Sequence, residues 1–111
     1  MNTNNDPTTY AEALAFLNGM TRRKIAPNTE IHRQRTGLLT VTLYQTEIVT
    51  YYPSGLVELD TGGHLTALTV ERMNRYLPPN VEVRRKLGGL LVNDVVVRDG
   101  HRFFPNELET A

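Results

Sequence analysis

The chain has 111 residues, and its 12 basic and 12 acidic side chains cancel to zero formal charge. It contains no cysteine, which excludes structural disulfides, thiolate zinc sites, iron–sulfur clusters and cysteine nucleophiles. The length implies a single domain, residues 1–111, able to bury roughly two-thirds of its unfolded surface without a covalent staple, and no apolar run approaches the ~20 residues that span a bilayer.

The start, MNTNNDPTT, has neither the basic nor the apolar region of a signal peptide, so a cytoplasmic protein with no membrane partner is expected. Zero net charge argues against binding nucleic acid by charge alone. All twelve basic residues lie between Arg22 and Arg102 and ten of them are arginine; a GC-rich genome produces that bias with no function attached.

Residues 1–6 are polar and expected to be flexible. Asp6-Pro7 reads as an N-cap followed by proline at the first helical position, with Thr9 and Glu12 as an alternative start of capping-box type. Tyr10, Leu14 and Leu17 recur at helical spacing, with Ala13 filling the stripe and Gly19 as the stop, which predicts a helix over 7–18. Thr21-Arg22-Arg23-Lys24 reads as a basic connector. From Asn28 to Leu59 the period switches to two, with β-branched and aromatic residues between Thr36-Gly37 and Pro53-Ser54-Gly55 turns. Such short connections make antiparallel neighbours, a meander of three or four strands.

Thr61-Gly62-Gly63 ends the meander. Thr69 is a candidate N-cap, and Val70, Met73 and Leu77 mark one face of a two-turn helix that stops near Tyr76, before Pro78. Two further hairpins follow, one around Gly88-Gly89 and one pairing Val95–Val97 with Arg102–Phe104 around Asp99-Gly100. Pro105 closes the sheet, and residues 106–111 form a polar, flexible tail. The fold class is α+β: an N-terminal helix, an antiparallel β-meander, one short central helix, then C-terminal β-hairpins.

Chemistry-bearing patterns are sparse. Gly62-Gly63 lacks the Gly-Lys-Ser/Thr of a phosphate loop and the parallel unit of a dinucleotide fingerprint. His32, His64 and His101 stand on separate elements, without metal-ligand spacing, so no metal site and no cofactor is expected. Ser54 is the sole serine and sits in a turn rather than a nucleophile elbow. His64 beside Glu58 or Asp60 is the one conceivable hydrolytic set, and no catalytic residue is assigned. The polar face of the central helix, Arg72, Asn74 and Arg75, together with His64, is the candidate partner-binding set. A nucleic-acid alternative uses Arg72, Arg75, Arg84 and Arg85 for phosphates, with Tyr51 and Tyr76 stacking on bases.

The run Thr46-Glu47-Ile48-Val49-Thr50-Tyr51-Tyr52-Pro53-Ser54-Gly55, then Leu59-x-Thr61-Gly62-Gly63, then Thr69-x-x-Arg72-x-Asn74, resembles a pattern found in small proteins of actinobacterial phages, plasmids and their hosts. The likeness covers about residues 24–78, with His64 standing where that family usually carries an aromatic. It implies a phage-type accessory gene and brings no activity with it. A non-enzymatic module that contacts a host protein, in host takeover or counter-defence, is therefore expected, with nucleic acid as the alternative partner and self-association left open.

Overall fold

The computed structural model describes residues 6–108; the expectations for residues 1–5 and 109–111 lie outside them. Helix α1 (Tyr10–Leu17) starts later than Asp6-Pro7 suggests, because Thr9 is the cap: its hydroxyl accepts from the Glu12 N–H at 3.2 Å, while the Glu12 carboxylate takes the Thr8 N–H at 2.8 Å. Asn18, in left-handed conformation, rather than Gly19, is the C-cap. Ala13 and Leu17 face the core, whereas Leu14 is 40 % exposed, so the buried stripe is narrower than its spacing predicts.

Nine strands follow: β1 (Arg22–Ala26), β2 (Thr29–Arg33), β3 (Leu39–Leu43), β4 (Thr46–Tyr51) and β5 (Val57–Leu59), then, beyond α2 (Ala67–Arg75), β6 (Val83–Lys86), β7 (Gly89–Val92), β8 (Val95–Val97) and β9 (His101–Phe103). The class is α+β with antiparallel sheets, but the meander has five strands, and the basic connector is itself the first of them. One sheet runs β1-β2-β3-β4-β5-β9; the other is β6-β7-β8. Val95–Val97 and Arg102–Phe103 therefore do not pair with each other. The Asp99 carboxylate accepts from both the N–H and the hydroxyl of Thr61 at 2.9 Å, and the Gly100 N–H donates to the Leu59 carbonyl at 2.8 Å. These bonds deliver β9 to the edge of β5, so α2 and the small sheet are an insertion between two neighbouring strands.

Register sorts the side chains. Ile31, Val41, Val49 and Leu59 are successive cross-strand partners on the buried face, as are Leu39, Tyr51, Val57 and Phe103 one pleat away. Helix α1 packs on β2 and β3, and α2 on β4 and β6. The opposite face carries Arg22, His32, Thr40, Thr50, Glu58 and Arg102 in a line across all six strands. Val83, Leu90 and Val92 of the small sheet join the same core as the large one. The described residues thus share one core across both sheets. Asp6 forms an ion pair with Arg75, and Pro105–Glu107 form a 3-10 turn.

Two tyrosines lie at the centre of the core. The Tyr51 hydroxyl donates to the Tyr76 carbonyl at 2.6 Å, with the Pro7 carbonyl 3.3 Å from the same oxygen. The Tyr76 hydroxyl is buried and, among the described residues, has no hydrogen-bond partner. Removing each should act in opposite senses. Tyr51→Phe leaves a buried carbonyl unpaired and is expected to cost about 1–3 kcal/mol, whereas Tyr76→Phe discards an unpaired hydroxyl and should be neutral or stabilising by up to about 1 kcal/mol. Urea denaturation of the two variants checks this.

Burial raises both phenols, Tyr51 well above its usual value and Tyr76 to about 12. A raised phenol pKa means that folding favours the protonated form. The associated stability is therefore intact below pH ~10 and lost as pH rises towards and beyond the folded values. Ultraviolet titration should show the two buried phenols ionising only as the chain unfolds.

Candidate functional site

The side chains expected to face a partner are for the most part part of the framework. Helix α2 is capped by Thr66, not Thr69: the Thr66 hydroxyl accepts from the Thr69 N–H at 3.1 Å, and the Thr69 hydroxyl donates to the His64 carbonyl at 3.1 Å. Thr69, Arg72, Met73 and Tyr76, at i, i+3, i+4 and i+7, form its inward face. Arg72 is 9 % exposed. Its Nε donates to the Thr29 hydroxyl at 3.0 Å, one Nη reaches the Pro27 carbonyl at 3.3 Å, and the other pairs with Glu71. The guanidinium thereby clamps α2 to the β1–β2 turn.

Asn74 and Arg75 are occupied as well. The Asn74 amide donates to the Val83 carbonyl at 2.9 Å and accepts from the Val83 N–H at 2.7 Å, imitating one rung of a β-ladder at the open side of β6. Arg75 binds Asp6 at 2.7 Å and lies over the Tyr76 ring, 5.6 Å from its centroid. Its own pKa is raised, first by that hydrogen bond. Tyr51 and Tyr76 are buried and cannot stack on bases; with Arg72 enclosed, the aromatic–cationic surface is not assembled. Arg84 pairs with Asp94, Arg85 lies 3.5 Å from the Leu65 carbonyl, and both remain exposed.

His64 is exposed beside a small hollow of about 170 Å³ under Leu43, Tyr44 and Leu68. Glu58 and Asp60 line a different hollow, on the open face of the large sheet, so the hydrolytic set of His64 with either acid does not share one pocket. Among the described residues no three histidine, aspartate or glutamate side chains converge as metal ligands. The Gly pair also has a packing reason: at Gly62, with φ +62°, a Cβ would lie 2.8 Å from the Thr46 methyl carbon.

A further concavity holds, of the expected surface residues, only Tyr51. It is a groove of about 340 Å³ where three distant segments meet: Thr8–Tyr10 before and at the start of α1, Tyr52–Val57 around the β4–β5 turn, and Phe104–Glu107 after β9, with Pro78 and Asn80 beneath and the Tyr51 ring at its floor. Asn80 fixes one wall by donating to the Pro105 carbonyl at 2.8 Å, and the Tyr10 hydroxyl fixes another by donating to the Gly37 carbonyl at 3.1 Å. At the rim, the Tyr52 hydroxyl donates to Glu58 at 2.7 Å, Arg102 reaches the same carboxylate oxygen at 3.0 Å, and the Arg102 guanidinium lies over the Tyr52 ring. The bond to Glu58 is the first cause of a raised Tyr52 pKa. Phe104 (36 % exposed) and Leu56 offer apolar surface, Thr8, Ser54 and Asn106 offer hydrogen bonds, and Glu107 is the sole charged lining residue. No family model matches the chain, nor does any curated protein or solved structure.

The different standing of the arginines is measurable. Arg72→Ala removes the bond to the buried Thr29 hydroxyl and a part-buried bond to the Pro27 carbonyl, and is expected to lower stability by about 2–3 kcal/mol, whereas Arg85→Ala should change it by less than about 0.5 kcal/mol. Thermal denaturation of the pair decides between a clamp and a free surface cation.

Proposed function

We propose that this chain is a non-enzymatic binding module, a phage-type accessory protein that contacts a host protein in the cytoplasm. The observation that carries the reading is the groove between the N-terminal segment, the β4–β5 turn and the C-terminal 3-10 turn. Its volume lies in the range of specific binding sites, and its lining mixes apolar walls with a few fixed polar groups. No lining side chain is cationic and one is a carboxylate, which suits a neutral or basic peptide segment that inserts an apolar side chain between Leu56 and Phe104. The motif that resembles actinobacterial phage proteins runs through Tyr51–Gly55 and so supplies one wall of this groove.

The test is capture from actinobacterial lysate treated with nuclease, using the chain itself and the variants Leu56→Asp and Phe104→Asp. Both positions are partly exposed, so the variants should fold with nearly unchanged melting temperature. A protein retained by the parent and lost at least tenfold by both variants supports the reading. A protein retained equally by all three removes the groove from it, and recovery of nuclease-sensitive material alone removes the host-protein partner.

A further inference from the structure

Each sheet has two edges, and an open edge is a template for another strand unless it is blocked. Edge β1 carries exposed Arg22, Arg23 and Lys24 and a register shift after Lys24. Edge β9 has only three residues and runs into Pro105. Edge β6 is occupied at Val83 by the Asn74 amide. Edge β8, Val95-Val96-Val97, is as short as β9 but has no charge, no proline and no side chain paired along it, and Val95 and Val96 are 62 % and 70 % exposed.

Hydrogen-bond parity shows what this edge presents. Val92 and Val95 close a two-residue turn in which Asn93 and Asp94 both have positive φ, so they are a hydrogen-bonded pair and Leu91–Val96 is not. The β6–β7 hairpin follows the same alternation, which leaves the N–H and C=O of Val83 pointing outward, where Asn74 meets them. At the other side of the sheet the N–H and C=O of Val96 must likewise point outward, and among the described residues no partner takes them.

We infer that β8 pairs antiparallel with β8 of a second copy of this chain about a two-fold axis at Val96, joining the two small sheets into one of six strands. In that register Val96 faces Val96 of the second copy and exchanges both ladder bonds with it. Asp94 falls opposite Arg98, and Arg98 opposite Asp94. The charges at these ends are complementary: Asp94 pairs with Arg84 of its own chain and can take Arg98 of the second copy as a further partner, and Arg98 is exposed and, among the described residues, unpaired. The contact is self-complementary, so it closes at two copies and does not propagate. This surface is separate from the groove, and either can fail without the other.

So small an interface implies dissociation on the order of 0.1 mM, well above usual assay concentrations. Sedimentation equilibrium of the full chain from about 10 µM to about 1 mM should show a monomer–dimer equilibrium, weakened at least tenfold by Val96→Lys, which sets two like charges across the axis. Because the chain lacks cysteine, Val96→Cys gives an independent reading. Paired Cα atoms about 5.5 Å apart lie within disulfide reach, so this variant should oxidise to a covalent dimer at least tenfold faster than Leu87→Cys, whose position is 98 % exposed and away from the axis. A wild-type chain that stays monomeric at the highest concentration, or equal oxidation rates for the two cysteine variants, overturns the inference.

Discussion

The bond from the Tyr51 hydroxyl to the Tyr76 carbonyl is the point on which the arrangement turns. Tyr51 lies on β4, at the middle of the large sheet, and Tyr76 caps the C-terminal end of α2. A helix end leaves carbonyls without intrahelical partners, and one buried under a sheet needs a donor from outside the helix. Tyr51 supplies it across 25 residues of sequence while its ring fills the floor of the groove. Its oxygen also lies against the Pro7 carbonyl, so one phenol fixes the sheet, the helix end and the N-terminal segment relative to one another. The groove walls are positioned by the same contact that closes the core.

Arg72 performs the matching task at the other side of α2. A buried guanidinium is costly unless its donors are satisfied. Here Thr29, Pro27 and Glu71 share the three nitrogens, and the Thr29 hydroxyl in turn donates to the Pro27 carbonyl at 2.8 Å. That arrangement holds the turn between β1 and β2, where Asn28 adopts a positive φ. With Arg72 at one side and Tyr51 at the C-terminal end, α2 is fixed by polar bonds as well as by Met73 and Leu77. The specificity of its placement comes from directional contacts that an apolar stripe alone does not supply.

What the sequence revealed and what it hid divide along range of interaction. The alternation through Leu39, Val41, Leu43 and Ile48–Tyr51 and the turn residues at Gly37 and Gly55 made the meander legible, because each signal acts within a few residues. Strand β1 was hidden because an edge strand with exposed Arg22, Arg23 and Lys24 is held by backbone bonds and needs no apolar alternation. The partner of β9 was hidden because the Asp99–Thr61 bonds that choose it span 38 residues. Arg72 looked like a surface cation, as arginines usually are; the bonds that hold it inward reach Thr29 and Pro27, 43 and 45 residues away. The groove was out of reach for the same reason: its walls come from both ends of the described chain and from the β4–β5 turn.

The insertion of α2 and the small sheet between β5 and β9 also sets how sheet edges can be managed. A three-stranded sheet folded onto a helix can close one edge against that helix, and Asn74 does this at Val83 with a side chain of the right length. The second edge then faces away from the rest of the chain, with nothing of the fold left to cover it. The large sheet keeps partners off its β1 edge with three cations, a device that acts on any approaching strand. An uncharged edge flanked by Asp94 on one side and Arg98 on the other is selective instead: it disfavours a partner with the wrong charge order and favours its own antiparallel image. Two edges treated so differently in one chain are more simply explained by one being excluded from contact and the other reserved for it than by chance in surface composition.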